Sequence, residues 1–295
     1  MSVKTVQTII NGQTYNLTLN NSTGKYEATI TAPAMSSYSQ EGHYYPVQIK
    51  AEDQAGNITT KDDTDATLGS KLQLRVKEKV APTTTIVSPT SGQLTAQNKP
   101  EIAFDITDND SGVNPDTVVL KIDNKAVTGL QKTSIENGYR FTYTPTTALS
   151  DGDHTIEVNA SDNDGNAADA KTLAFSVLAT APNLSITNPA DGEWFKNTNV
   201  AFAGTTDAES LTVRVGNGTA QNVTIKEGSF SGNITLATEG DNTVTFVATS
   251  AAGVETTVTR TLKLDTHAPL IEDVQLTPNP VDAGKTFIIS VTVTD

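Results

Sequence analysis

Three stretches of the chain open alike: APTTTIVSP (81–89), APNLSITNP (181–189) and APLIEDVQLTPNP (268–280). Each reads as an Ala-Pro hinge, a short strand and a turn that contains proline. A second motif recurs downstream, as HYYPVQIKAEDQAGNITT (43–60), DHTIEVNASDNDGNAAD (153–169) and NTVTFVATSAAGVETT (242–257). Each copy is an alternating strand, a turn carrying Gly56, Gly165 or Gly253, and a further strand; these glycines are expected at positive φ. A chain that repeats itself in this way folds as serial units, each closing its own small core.

The composition says what those units are made of. Aromatic residues are only 5 % of 295, too few for one large core but enough to seed several small ones. Few segments have the Ala, Leu, Glu and Lys content of helices, while β-branched and turn-forming residues dominate, so the fold class is all-β. The formal net charge is −14. A surface of that sign repels phosphate backbones and argues against nucleic-acid binding; it also keeps sheet edges soluble. The chain has no cysteine, so packing alone must hold each unit. No segment is apolar for long enough to span a bilayer as a helix, and the first residues lack the pattern of a secretory signal.

Units of this length with about seven short strands point to tandem immunoglobulin-like β-sandwiches. In the middle unit, strand A is expected near 84–87, B at 101–107, C at 118–122, a hairpin strand at 139–144, F at 155–161 and G at 172–177. Ile102, Phe104 and Ile106 alternate along B and mark its core side. The runs GKYEATITAP, AEDQAGNITT, DNDSGVNPDTV, TALSDGDHTIEV and NPVDAGKTFIISVTVTD resemble bacterial immunoglobulin-like repeats of phage virions, especially tail-associated proteins, and of Gram-positive surface proteins. That resemblance covers nearly the whole chain and implies the module rather than its task, because the fold serves spacers, adhesins and assembly modules alike.

The first unit departs from the pattern. Ile10-Asn11-Gly12-Gln13 corresponds to Ile122-Asp123-Asn124-Lys125, the end of strand C and its turn, and only nine residues precede Ile10. Strands A and B have no room there, but they recur near residue 295: the 268–280 stretch matches A, and TFIISVTVTD matches B, with Asp295 on Asp108. The expected organisation is therefore an Ig-like domain lacking A and B (1–80), two Ig-like domains (81–179 and 180–266) and a donor segment (267–295).

Phe287, Ile289, Val291 and Val293 form the core face of that last strand. Burying four such side chains is worth roughly 6–12 kcal/mol gross, at about 1.5–3 each. The matching acceptor is the core of the first unit, including Val6, Ile10, Leu17, Leu19, Ile30, Val47 and Ile49. Three arrangements satisfy both halves: donation head-to-tail to another copy, folding back within one chain, or a neighbouring segment of a longer repeat protein. Folding back would require a chain with short Ala-Pro linkers to bend sharply. Donation between copies generates a ring if the rotation closes and a filament if it does not.

Other chemistry is sparse. The loops DITDNDSGVNPD and SDNDGN place Asp105, Asp108, Asp110, Asp162 and Asp164 where calcium could meet oxygen ligands. Neither has a complete EF-hand pattern, and Asp, Asn and Gly are also what tight turns need. Turn chemistry is the expectation, with no metal and no cofactor. His43 and His154 precede their strands in matching motifs and are expected to be structural or merely surface residues. Trp194 takes the place of Leu94 and is expected to pack. No nucleophile elbow, phosphate loop or zinc motif appears, so the chain is not expected to be an enzyme. The function expected is a structural protein of a phage virion or extracellular filament, assembling through strand donation. Its expected partners are further copies of itself, with other virion proteins or a bacterial surface glycan as alternatives, and neither nucleic acid nor membrane. The competing expectation is an adhesion module for a bacterial surface glycan or protein.

Overall fold

The computed structural model describes residues 2–295. The chain divides into two compact units, Met1–Leu94 with Lys99–Ser176, and Thr95–Asn98 with Val177–Asp295. Apart from three short 3-10 turns, its regular structure is strand throughout. No helix among the described residues is long and apolar enough to cross a membrane.

The first unit begins with β1 (Val3–Ile10), β2 (Gln13–Asn20), β3 (Lys25–Glu27), β4 (Tyr45–Asp53), β5 (Ile58–Lys61) and β6 (Gln73–Leu74). They form one sheet in the order β3-β2-β1-β4-β5, with β6 on β4. The β1–β2 hairpin turns through Asn11 and Gly12, both at positive φ, the conformation of a tight two-residue connection. Strand β2 has two partners along its length: residues 13–17 pair with β1, and residues 18–20 pair with β3. A strand that changes partners in this way turns the corner from one layer of a sandwich toward the other.

The middle repeat closes both layers. Its strands are β7 (Thr83–Ser88), β8 (Leu94–Thr95), β9 (Ile102–Thr107), β10 (Val113–Ile122), β11 (Lys125–Ala126), β12 (Gln131–Ile135), β13 (Gly138–Tyr143), β14 (Gly152–Asp162) and β15 (Lys171–Val177). One sheet runs β11-β10-β14-β15-β8 and the other β12-β13-β9-β7. Ile102, Phe104 and Ile106 of β9 are fully buried, as are Leu120, Ile156 and Val158 of the opposite sheet. Phe104 lies opposite Phe141 of β13 in register, their rings stacked with centroids 5.5 Å apart. The expected strands are all present; β8, β11 and β12 are additional, because runs as short or polar as theirs carry no alternation to read.

The second unit repeats the plan with β16 (Leu184–Asn188), β17 (Trp194–Phe195), β18 (Asn199–Thr206), β19 (Ser210–Val215), β20 (Gln221–Val223), β21 (Ile225–Lys226), β22 (Ser229–Thr235), β23 (Gly240–Thr249) and β24 (Glu255–Leu264). Its sheets, β16-β18-β22-β21 and β17-β24-β23-β19-β20, enclose a core around Phe202, Phe230, Leu211, Val244 and Phe246. Beyond it, β25 (Leu270–Thr277) and β26 (Ile288–Thr294) pair only with each other. Gly56, Gly165 and Gly253 all have φ between 85° and 90°, as their turns require.

One expectation about a single residue needs correction. Trp194 does not pack: it is 64 % exposed, with the Lys263 ammonium 5.3 Å from its ring centroid. Its counterpart Leu94 is exposed as well, so the shared position is a surface one. The two histidines also differ. His43 lies exposed in a 3-10 turn, stacked on Tyr38. His154 is buried, with Nδ1 2.7 Å from Asp123 Oδ2 and Nε2 2.8 Å from the Ser150 carbonyl.

Both partners of the His154 ring are acceptors, so the doubly protonated ring satisfies both. Burial works against the charge, but the Ser150 carbonyl and the Asp123 and Asp153 carboxylates outweigh it and hold the pKa above the ordinary 6.5. A raised folded value stabilises fully below the unfolded pKa and is lost as pH rises through the folded one. Urea unfolding of the middle repeat should therefore show stability falling as pH rises above about 6.5, and His154→Gln should flatten that slope. A wild-type profile without the slope would mean a neutral ring.

Candidate functional site

The structure gathers most of the expected acceptor residues on one face of the first sheet. Ile10 lies opposite Val47, Thr8 opposite Ile49, and Val6 between Leu17 and Ala51. Leu19, two residues beyond Leu17 on β2, shares that side and pairs with Tyr26. Ile30 is not in a strand; residues 28–30 continue beyond β3 outside any ladder. Val6, Ile10, Leu17, Ile30, Val47 and Ile49 are only half-buried, and Leu19 is 45 % exposed.

The middle repeat shows what this face looks like when covered. Ile122 lies opposite Ile156 and Leu120 opposite Val158, matching Ile10 with Val47 and Thr8 with Ile49. The correspondence extends to the next turn. Asp162 accepts from the Asn166 amide and side chain, both at 2.7 Å. Asp53 accepts from the same two groups of Asn57, both at 2.9 Å. Leu120, Ile156 and Val158 are fully buried beneath β9, whereas the first sheet has no counterpart of β9 or β7 among the described residues. Thr8, at the Leu120 position, is itself buried, yet its hydroxyl has no hydrogen-bond partner.

The β25–β26 hairpin supplies the complementary face. Its ladder sets Ile271 against Val293, Val274 against Val291 and Leu276 against Ile289. With Phe287 continuing the alternation, one side of the hairpin is wholly apolar. The other side carries mostly Asp273, Gln275, Ser290, Thr292 and Thr294. Phe287 is 46 % exposed, Ile289 59 %, Val291 50 % and Val293 53 %. By the register of the two A–B ladders, Ile289, Val291 and Val293 stand where the middle repeat buries Ile102, Phe104 and Ile106 completely. Ten of the twenty large apolar side chains exposed among the described residues fall between Leu270 and Val293, a density that marks an interaction surface. Sequence periodicity identified the β26 half of this face; the β25 half emerges only from the pairing.

The aspartates of the acidic loops have several separate roles. Asp105 is not at the loop site: it receives both guanidinium bonds of Arg140, at 2.7 and 2.8 Å. Asp110 accepts the Ser36 amide with both oxygens, and Asp164 accepts the Glu78 amide. These bonds tie the first sheet to the middle repeat. Only Asp108 and Asp162 approach one another, and they do so with Glu78, each offering an oxygen within 4.8 Å of the others. Three such carboxylates could hold one divalent cation. Asp108 and Asp162 also carry out turn chemistry, Asp108 capping the Asp110 and Gly112 amides. Glu78 was not singled out in the sequence, because it lies 30 residues from Asp108 and 84 from Asp162 along the chain (108 − 78 and 162 − 78). In the third repeat Ser250 takes the Asp162 place, its hydroxyl accepting the Val254 amide.

Comparisons with known proteins agree with this architecture. Residues 80–177 match the family model of a bacterial Ig-like domain. Residues 182–266 match that of glucodextranase, domain B. No curated protein matches the chain in sequence. Among solved structures, fibronectin(III)-like modules of Clostridium thermocellum CbhA align at 15 % identity and TM-score 0.35, over 62 % of this chain and 95 % of theirs. An I-band fragment of titin aligns at 13 % and 0.43, over 89 % and 88 %. A 1.5-MDa bacterial ice-binding adhesin aligns at 18 % and 0.36, over 90 % and 87 %.

The contact between the first sheet and the middle repeat has its own test. Glu78 Oε1 accepts the Ser111 amide at 2.7 Å, and Ser111 is buried. Glu78→Ala leaves that amide unsatisfied, which costs about 1–3 kcal/mol. Hydrogen exchange at Ser111 should accelerate accordingly, while the cores of both complete sandwiches keep their protection.

Proposed function

We propose that this chain, built from bacterial Ig-like repeats, is a non-enzymatic structural protein that assembles head-to-tail. The β25–β26 hairpin of one copy completes the open first sandwich of the next. The observation that carries this reading is the match between two bare apolar faces, which are the two halves of one sandwich that the middle repeat displays closed. Adding strands to an open sheet satisfies its backbone groups as well as its side chains. If about half of each donor side chain is newly covered, Phe287, Ile289, Val291 and Val293 contribute roughly 3–6 kcal/mol gross.

Such a contact uses different surfaces on the two copies, so repetition yields a ring or a filament. A phage tail or an extracellular filament on a bacterium is the setting we favour for serial Ig-like modules joined this way. The resemblance to virion and surface repeats supports it, as does the acidic, cysteine-free composition.

A second reading rests on Trp194. The exposed indole, with Lys263 over its ring, borders an open cleft lined by Glu193, Phe195, Lys196, Asn197, Asn199 and Asp265. An exposed aromatic platform beside polar side chains suits a saccharide, and the chain would then be an adhesion module for a surface glycan.

Substituting Val291→Asp in the full chain tests the assembly reading. Sedimentation velocity should show association of the unsubstituted chain and its loss in the variant. The melting of the two complete sandwiches should be unchanged. An unsubstituted chain that stays monomeric at every concentration would overturn the reading in favour of the second.

A further inference from the structure

We infer that β26 of a second copy seats antiparallel along the open edge of β3 and its continuation through residue 30. Val293 then lies opposite Tyr26, Val291 opposite Ala28 and Ile289 opposite Ile30. This inference rests on the assembly reading and adds to it the edge and the register.

The edge follows from the path of β2. Its last three residues already pair with β3 rather than β1, so β3 opens the second layer. In the middle repeat that layer is β12-β13-β9-β7, with β9 on the far edge of β13. The corresponding edge of β3 has no strand on it. The other open edge, β5, is a poorer candidate. Its counterpart β15 is taken by the short β8 and not by the β7–β9 pair.

The register follows from two hairpins. The β12–β13 ladder closes at Ile135 and Gly138, so Tyr139 is the next residue outward. The β2–β3 ladder closes at Asn20 and Lys25, so Tyr26 is next. Tyr26 therefore corresponds to Tyr139, Ala28 to Phe141 and Ile30 to Tyr143. In the middle repeat these face Ile106, Phe104 and Ile102, whose places in the hairpin belong to Val293, Val291 and Ile289. The same alternation aims Tyr26, Ala28 and Ile30 at one side, continuous with Leu17 and Leu19.

Charge fits this register. Lys25 falls opposite Thr294, whose hydroxyl donates to Glu272 Oε1 at 3.0 Å. The Lys25 ammonium thus meets an acid on the incoming hairpin. Residues 267–295 carry Glu272, Asp273, Asp282 and Asp295 against Lys285 alone, so the segment that meets Lys25 is acidic. The small Ala28 leaves room for Val291 where the middle repeat stacks two phenylalanines.

The absence of cysteine makes the test specific. Directly opposed residues on antiparallel strands have Cα atoms about 4.5–5.5 Å apart, within the span a disulfide bridges. The full chain carrying Ala28→Cys and Val291→Cys should give a ladder of disulfide-linked multimers on a non-reducing gel. Tyr26→Cys with Val293→Cys, one step along the same register, should give the same ladder and guards against a misfolded first variant. Thr59→Cys with Val291→Cys, which reports on the β5 edge from the same face as Ile49 and Ala51, should give none. Association by light scattering without a ladder from either register pair, or with a ladder through Thr59, would overturn the edge and register while leaving assembly in place. A linked monomer would overturn donation to a second copy. A chain that does not associate at all would remove the assembly reading itself.

Discussion

The architecture depends on one interaction: the apolar side of strand B laid across the sheet that holds strands C and F. In the middle repeat β9 makes this contact, and Ile102, Phe104 and Ile106 on one side and Leu120, Ile156 and Val158 on the other are out of solvent. In the third, β18 does the same through Val200 and Phe202. The first sheet has the receiving surface without the strand, and β26 is the strand without the surface. An Ig-like repeat has few aromatics to spare, so half a sandwich cannot compensate by packing elsewhere. The half-exposed Val6, Leu17 and Val47 show that it does not.

The polar contacts of the first unit serve a different purpose. Ser36, Lys77, Glu78 and Ser111 exchange hydrogen bonds with Asp110, Asp164 and one another across the junction of the first sheet and the middle repeat. They hold the open sheet to a closed neighbour without covering its apolar face. The aspartates that read as a metal signal are mostly turn caps and junction acceptors. The one convergence of three carboxylates needs Glu78 from the linker. A repeat protein can thus keep the same loop residues while redistributing what they bind, as Ser250 shows in the third repeat.

Much of this was legible in the sequence, for a physical reason. Strands β9, β14 and β26 alternate because one side faces a core, and period-2 patterning records that burial directly. The likeness of the first sheet to the middle repeat without β7 and β9, and of β25–β26 to that pair, was legible because the repeats give an internal reference. What remained illegible depends on partners distant in the chain. Ile30 was expected in the acceptor core, yet residues 28–30 lie outside any ladder, because a strand exists only against another. Trp194 read as core by its apolar neighbour, but both positions are exposed. Glu78 carried no local motif, and the apolar side of β25 is broken by a register shift between Ile271 and Asp273 that hides its alternation.

The central claim is that residues 28–30 and β26 bury one another between copies. Amide hydrogen exchange of the full chain, followed as a function of protein concentration, tests it most directly. The account predicts that both segments gain protection together as concentration rises, while the core amides of β9 and β18 stay protected throughout. Rapid exchange of both segments at every concentration would contradict it.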